Sequence, residues 1–101
     1  MVNARCQIPE DKIKDFCQRW QIVEFSLFGS ALRDDFHAES DVDILVTFAP
    51  DARHSLFDLV EMKDELRTLF GRDVDLVQEK LLDNPFRRRE ILRTKELIYA
   101  A

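Results

Sequence analysis

The sequence predicts an α/β (α+β) domain, a small mixed β-sheet of three to four strands with helices packed on it, and two observations carry that prediction. Segments with apolar residues at helical spacing alternate with short runs rich in β-branched and aromatic residues, and Gly, Pro or polar residues punctuate them. The chain has 101 residues, 46% of them hydrophobic and eight of them Phe. That is enough to fill one core and not two, so residues 1–101 are read as a single domain.

The elements follow in order. From Pro9 to Trp20, the residues Ile13, Phe16, Cys17 and Trp20 recur at i, i+3, i+4 and i+7, which is one face of a helix whose start Pro9 marks. Ile22 to Phe28 (IVEFSLF) is too short and too β-branched for a good helix and reads as a buried strand stopping at Gly29. Gly29 to Ser40 is a polar, acidic connection with room for one short helical turn, and Asp41 to Phe48 (DVDILVTF) is a second strand ended by Pro50. Ser55 and Asp58 form a capping-box variant ahead of Leu56, Leu59, Val60, Leu66, Leu69 and Phe70, with Gly71 as the stop. Asp73 to Gln78 is a third strand. Asn84 and Pro85 provide the N-cap and first turn of a last helix predicted to run to about Ile98. The apolar residues Phe86, Ile91, Leu92, Leu97, Ile98 and Tyr99 are assigned mostly to the core, with some left for an interface.

Charge and composition exclude several function classes. A net charge of −5 argues against gripping a nucleic-acid backbone with the whole surface. Residues 85–101 carry five basic against two acidic groups. Arg87, Arg88 and Arg89 nevertheless spread around a helix at about 100° per residue, so they read as solvated surface or as a dock for an acidic partner, and no direct nucleic-acid contact is expected. No apolar run approaches the roughly 20 residues of a membrane span, and Asn3, Arg5 and Gln7 interrupt any signal-like stretch. A soluble, cytoplasmic protein is expected. Cys6 and Cys17 read as reduced thiols, with Cys17 on the buried face of the first helix, and His37 and His54 as exposed loop residues.

The chemistry concentrates between Leu27 and Val46. Residues 34 to 43 hold five acids and no Lys or Arg, a charge that a divalent cation would offset. Asp41 and Asp43, two residues apart at a strand mouth, project from the same face and offer hard oxygen ligands suited to Mg²⁺ or Mn²⁺. Asp75, set between Val74 and Leu76, supplies a third carboxylate where an unpaired charge would be costly. Asp73 shares its face and is the competing candidate, placed by Gly71 and Arg72 at a solvated strand start. Gly29 lets a phosphate approach the backbone, and Ser30 offers a hydroxyl and an amide. Together these parts describe nucleotidyl transfer. An EF-hand lacks its remaining ligands here, and a Walker loop lacks its Gly-Lys-Ser/Thr.

These residues also carry a family resemblance. Gly29-Ser30, ten residues, then Asp41-Val42-Asp43 resembles the signature of the minimal nucleotidyltransferases of the DNA polymerase beta-like superfamily, and Asp75 in a Val-Asp-Leu strand matches that family's third carboxylate. The family's Arg three positions after the Ser falls on Arg33, which serves either a salt bridge or a phosphate contact, and its Ser before the Asp pair falls on Ser40. The resemblance implies ATP as substrate, Mg²⁺ held by Asp41, Asp43 and Asp75, phosphates held by Gly29 and Ser30, and Asp75 assisting deprotonation of an acceptor hydroxyl. It further implies an antitoxin that adenylylates a tyrosine of a HEPN-type ribonuclease toxin in a hetero-oligomer. The alternative is a non-catalytic antitoxin, or nucleotide-sensing module, that neutralises the partner by occlusion.

Overall fold

A computed structural model describes residues 9–29 and 41–101. In chain order the elements are α1 (Glu10–Arg19), β1 (Ile22–Phe28), β2 (Val42–Phe48), α2 (Leu56–Phe70), β3 (Val74–Gln78), a 3₁₀ turn (Glu79–Leu81), α3 (Pro85–Thr94) and β4 (Glu96–Ala100). The sheet runs β3-β2-β1-β4, with β1 antiparallel to both β2 and β4, and β3 parallel to β2. It is the mixed sheet the sequence predicts.

The local signals act as expected at most boundaries. Ser55 Oγ accepts from the Asp58 amide at 3.1 Å while the Ser55 amide donates to Asp58 Oδ2 at 3.0 Å, so two of the orphan donors at the start of α2 are satisfied reciprocally. Gly71 ends α2 in the left-handed region, at φ 71°. Asn84 Oδ1 accepts from the amides of Phe86 and Arg87 at the start of α3, with Pro85 in the first turn. The start of α1 has no side-chain cap, and Glu10 and Asp11 in its first turn complement the helix dipole instead.

Helices cover both faces of the sheet. Ile13, Phe16 and Cys17 of α1 and Met62 and Leu66 of α2 pack on Phe25, Leu27, Val42, Ile44, Val46 and Val74, all 3% exposed or less. On the opposite face Ile91 of α3 and Leu82 close over Phe28 and Leu45. A register shift between Ile22 and Glu24 explains why Ile22 and Phe25, three apart, enter the same cluster. Cys17 is a free, buried thiol, and burial pushes its pKa up to about 12, which makes it inert. Cys6 and His37 lie outside the described residues.

Two expectations need correction, the end of the last helix and the exposure of His54. The last helix stops at Thr94, and Glu96–Ala100 forms β4, because these residues (ELIYA) favour a strand and pair with the edge of β1 from Leu27↔Glu96 to Glu24↔Ala100. The fully buried residues of α2 are Met62 and Leu66, and Leu56 and Val60 are 79% and 61% exposed beside the edge strand β3. Of the apolar residues from Phe86 to Tyr99, Ile91, Leu92, Ile98 and Tyr99 belong to or pack against the core, as expected of most of them, and Phe86 and Leu97 are exposed. His54 is half-buried: its Nε2 lies 2.8 Å from the Trp20 carbonyl, and its ring packs against Trp20 and Phe48. Two aromatic rings and a backbone acceptor give that loop histidine a place that local sequence does not announce.

At the α1–α2 contact, Arg19 donates to Asp15 at 2.8 Å and pairs with Glu65, which also accepts from Trp20 Nε1 at 3.3 Å. The hydrogen bond from Arg19 holds the Glu65 carboxyl below its ordinary 4.5, against the opposing effect of burial. A carboxyl depressed by folding adds stability that is complete above the unfolded pKa and is lost as pH falls through the folded pKa. Glu65→Gln should therefore lower stability by roughly 0.2–1 kcal/mol at pH 7, in line with a partly exposed pair. It should also remove part of the decline below 4.5. Thermal melts from neutral to acid pH check both.

Candidate active site

Strand direction assembles the site. Because β1 is antiparallel to β2 and β3 is parallel to it, the end of β1 and the starts of β2 and β3 meet at one end of the sheet. The register runs Phe28↔Asp43 and Asp43↔Asp75. Val42 and Val74 are buried against α1 and α2, so alternation turns Asp43 and Asp75 to the opposite face, which α3 covers further along. Neighbouring strands about 4.8 Å apart make these two carboxylates neighbours. Asp41 is exposed and lies just before the first residue of β2.

Gly29 closes this corner. It has φ 63°, and a Cβ built on it would overlap Asp43 Oδ2 and stand 3.3 Å from Asp43 Cγ. Only a residue without a side chain lets the turn after β1 pass this close to the carboxylate. Ser30, Arg33 and Ser40, together with Asp34, Asp35 and Glu39, lie outside the described residues.

Asp75 lies on the strand next to Asp43 but not in the expected environment. It is exposed, because β3 is an edge strand, and its carboxylate has no hydrogen bond or ion pair among the described residues. The cost of burying an unpaired charge therefore does not argue for a counter-ion at Asp75; its place beside Asp43 does. Asp73 is also exposed and pairs with Arg67 Nε at 3.1 Å, so a cation of α2 already occupies this competing candidate.

The sequence reading missed one part. Arg67, Thr68, Arg72 and Asp64 join Asp41 and Asp73 around an open polar depression of about 730 Å³. No local pattern links Arg67 or Arg72 to Asp41, and only the pairing of β2 with β3 brings them together. A second cavity of about 300 Å³, lined by Thr47, Phe48, His54 and Gln78, lies at the opposite end of β2, away from the carboxylates.

Among the described residues no group of three or more Asp, Glu, His or Cys side chains is placed to hold a metal ion, so Asp41, Asp43 and Asp75 are not brought together as a set of three ligands. The donor chemistry suits a hard cation where Asp43 and Asp75 stand side by side on neighbouring strands, since both offer carboxylate oxygens, while Asp41 lines the depression beside α2. Mg²⁺ is commonly held in this way, by one or two carboxylates with waters and substrate phosphates completing its shell.

Comparison with known proteins finds relatives in sequence and in fold. The protein adenylyltransferase MntA of Thermococcus cleftensis is 35% identical over 86 residues, 85% of this chain and 82% of that protein. A toxin–antitoxin crystal structure with AMP-PNP superposes with a TM-score of 0.73 at 22% identity, covering 93% of this chain and 75% of the other. The structure of a tri-AMPylated Shewanella oneidensis HEPN toxin in complex with its MNT antitoxin gives 0.64 at 20% identity, over 91% and 70%. These two structures show the fold. The nucleotidyltransferase domain model matches residues 10–98. With nearly the whole chain matched and Gly29, Asp43 and Asp75 meeting at one end of the sheet, this protein belongs to the nucleotidyltransferase domain family.

Proposed function

We propose that this protein transfers AMP from ATP to a hydroxyl, that of a tyrosine, on a HEPN-type ribonuclease toxin, and so acts as its antitoxin in the cytoplasm. The observation that carries the reading is the register of Asp43 against Asp75 with Gly29 packed on Asp43. It is supported by the 35% identical relative named as a protein adenylyltransferase and by the structural neighbours that hold AMP-PNP or an AMPylated HEPN toxin.

In this reading Asp41, Asp43 and Asp75 would hold Mg²⁺, or Mn²⁺, which would supply charge neutralisation at the phosphates. Gly29 and Ser30 take the β- and γ-phosphates, so that the α-phosphorus faces the acceptor. Asp75, exposed and without a partner among the described residues, is the carboxylate free to accept the hydroxyl proton as that oxygen attacks and pyrophosphate leaves.

The test incubates the protein with Mg²⁺ and a lysate of its source cell, with ATP labelled at either the α- or the γ-phosphate. A protein band labelled only from the α-position, and absent with Asp41→Asn/Asp43→Asn, is the expected result. Absence of any such band, with the partner still bound and neutralised, would replace transfer by occlusion.

A further inference from the structure

The outer edge of β3 carries a groove that leads to the candidate active site. It is about 590 Å³ in volume and mainly apolar, with Leu56, Val60 and Lys63 of α2 on one wall and Asp75, Val77 and Leu81 along the strand and the turn that follows. Leu56, Val60 and Leu81 are 79%, 61% and 64% exposed, so three of the six most exposed large apolar side chains among the described residues gather here. Isolated exposed apolar residues are ordinary, but a contiguous set beside an open strand edge is not. Among the described residues no strand pairs with this edge of β3, which lies along the groove.

We propose that this groove binds an extended segment of the protein that accepts the nucleotide. The segment would add as a strand to β3, set apolar side chains at alternate positions against Leu56, Val60 and Leu81, pair an acidic residue with Lys63, and deliver its hydroxyl to Asp75. Three features select this occupant. The groove is continuous with the site, since Asp75 both lines it and stands beside Asp43. Lys63 is exposed and has no ion pair among the described residues, so an acid on the segment complements it. An edge strand flanked by apolar pockets matches strand addition, in which main-chain hydrogen bonds give affinity and alternate side chains give specificity. At about 3.3 Å per residue, the stretch from Asp75 to the end of β3 places the apolar anchors roughly three to six residues from the hydroxyl.

The transfer step rests on the function proposed above: the acceptor oxygen bonds to the α-phosphorus of ATP, the bond to the β-phosphate oxygen breaks, pyrophosphate leaves, and the hydroxyl proton passes to Asp75 and on to solvent. The docking itself is independent of that chemistry, and this separates the two failures. The probes are fluorescein-labelled peptides of about ten residues with one Tyr, one Asp and alternating Leu and Val, and the same peptides with Ser in place of Leu and Val. Anisotropy with the wild-type protein should show at least about tenfold tighter binding of the apolar peptide. Leu56→Glu/Val60→Glu should lose that preference with an unchanged melting midpoint, and Lys63→Glu should weaken binding of the Asp-bearing peptide but not of an Asp→Lys version. Equal binding of apolar and Ser peptides, or retained preference in Leu56→Glu/Val60→Glu, overturns the proposal. So does a concentration-dependent dimer abolished by the same double variant without peptide binding, which would make the groove a self-interface. Peptide binding as expected, with no α-label reaching the peptide in the presence of ATP and Mg²⁺, supports the groove and counts against the transferase reading.

Discussion

Asp43→Asn should reduce AMP transfer by on the order of 10³-fold or more, the scale lost when preorganised charge at a reacting centre is removed, while the melting midpoint and partner binding stay at wild-type values. The residue sits in β2, an interior strand, with Phe28 beside it on β1 and Asp75 on β3, and with Gly29 against its carboxylate. Exchanging a carboxylate oxygen for an amide group keeps shape and volume in that corner. What is removed is the negative charge and a hard oxygen donor beside Asp75, so the effect falls on nucleotide-phosphate chemistry and not on the fold. Chelation by EDTA should produce the same loss in the wild-type protein, reversed by added Mg²⁺. Asp75→Asn tests the acceptor side: loss of transfer with ATP binding retained fits a group that takes the hydroxyl proton. If Asp43→Asn neutralises the partner as well as the wild type does and no label moves in either protein, occlusion is the mechanism.

The site was legible in the sequence to the extent that it depends on short-range geometry. Gly29 ends a strand and Asp43 opens the next, and a period of two fixes their faces before any packing is known. The caps at Ser55, Gly71 and Asn84 were readable for the same reason, because a cap is a hydrogen bond within a few residues. Strand order was not readable. Val74 and Leu76 around Asp75 read as burial, yet β3 lies at the sheet edge and Asp75 is exposed, so the expected environment was wrong. The misassigned end of the last helix has a related cause: Glu96–Ala100 continues an apolar helical pattern, and only the unpaired edge of β1 makes a strand the better use of that segment. Burial of His54 likewise depends on Trp20 and Phe48, which are distant from each other in sequence and meet only in the folded chain.

Gly29→Ala should give the second large effect, a loss of transfer of at least about 10²-fold together with a stability loss of roughly 1–3 kcal/mol, since a strained backbone conformation at a functional site costs about that much. Two separate costs act. At φ 63° an L side chain is strained whatever the space around it, and the new Cβ would overlap Asp43 Oδ2, so the turn after β1 or the carboxylate itself must move. Gly71→Ala isolates the first cost. It has nearly the same backbone, φ 71°, but nothing lies within 4 Å of its added Cβ. That variant should lose about 1 kcal/mol, the usual range for a side chain forced into the left-handed region, and keep most of its transfer rate. Urea denaturation and AMP-transfer assays on both variants separate strain from displacement of Asp43. Equal losses of stability with transfer lost only in Gly29→Ala would place the whole functional effect on the carboxylate. Unimpaired transfer in Gly29→Ala would show that the close approach of this turn to Asp43 is a packing feature that the reaction does not need.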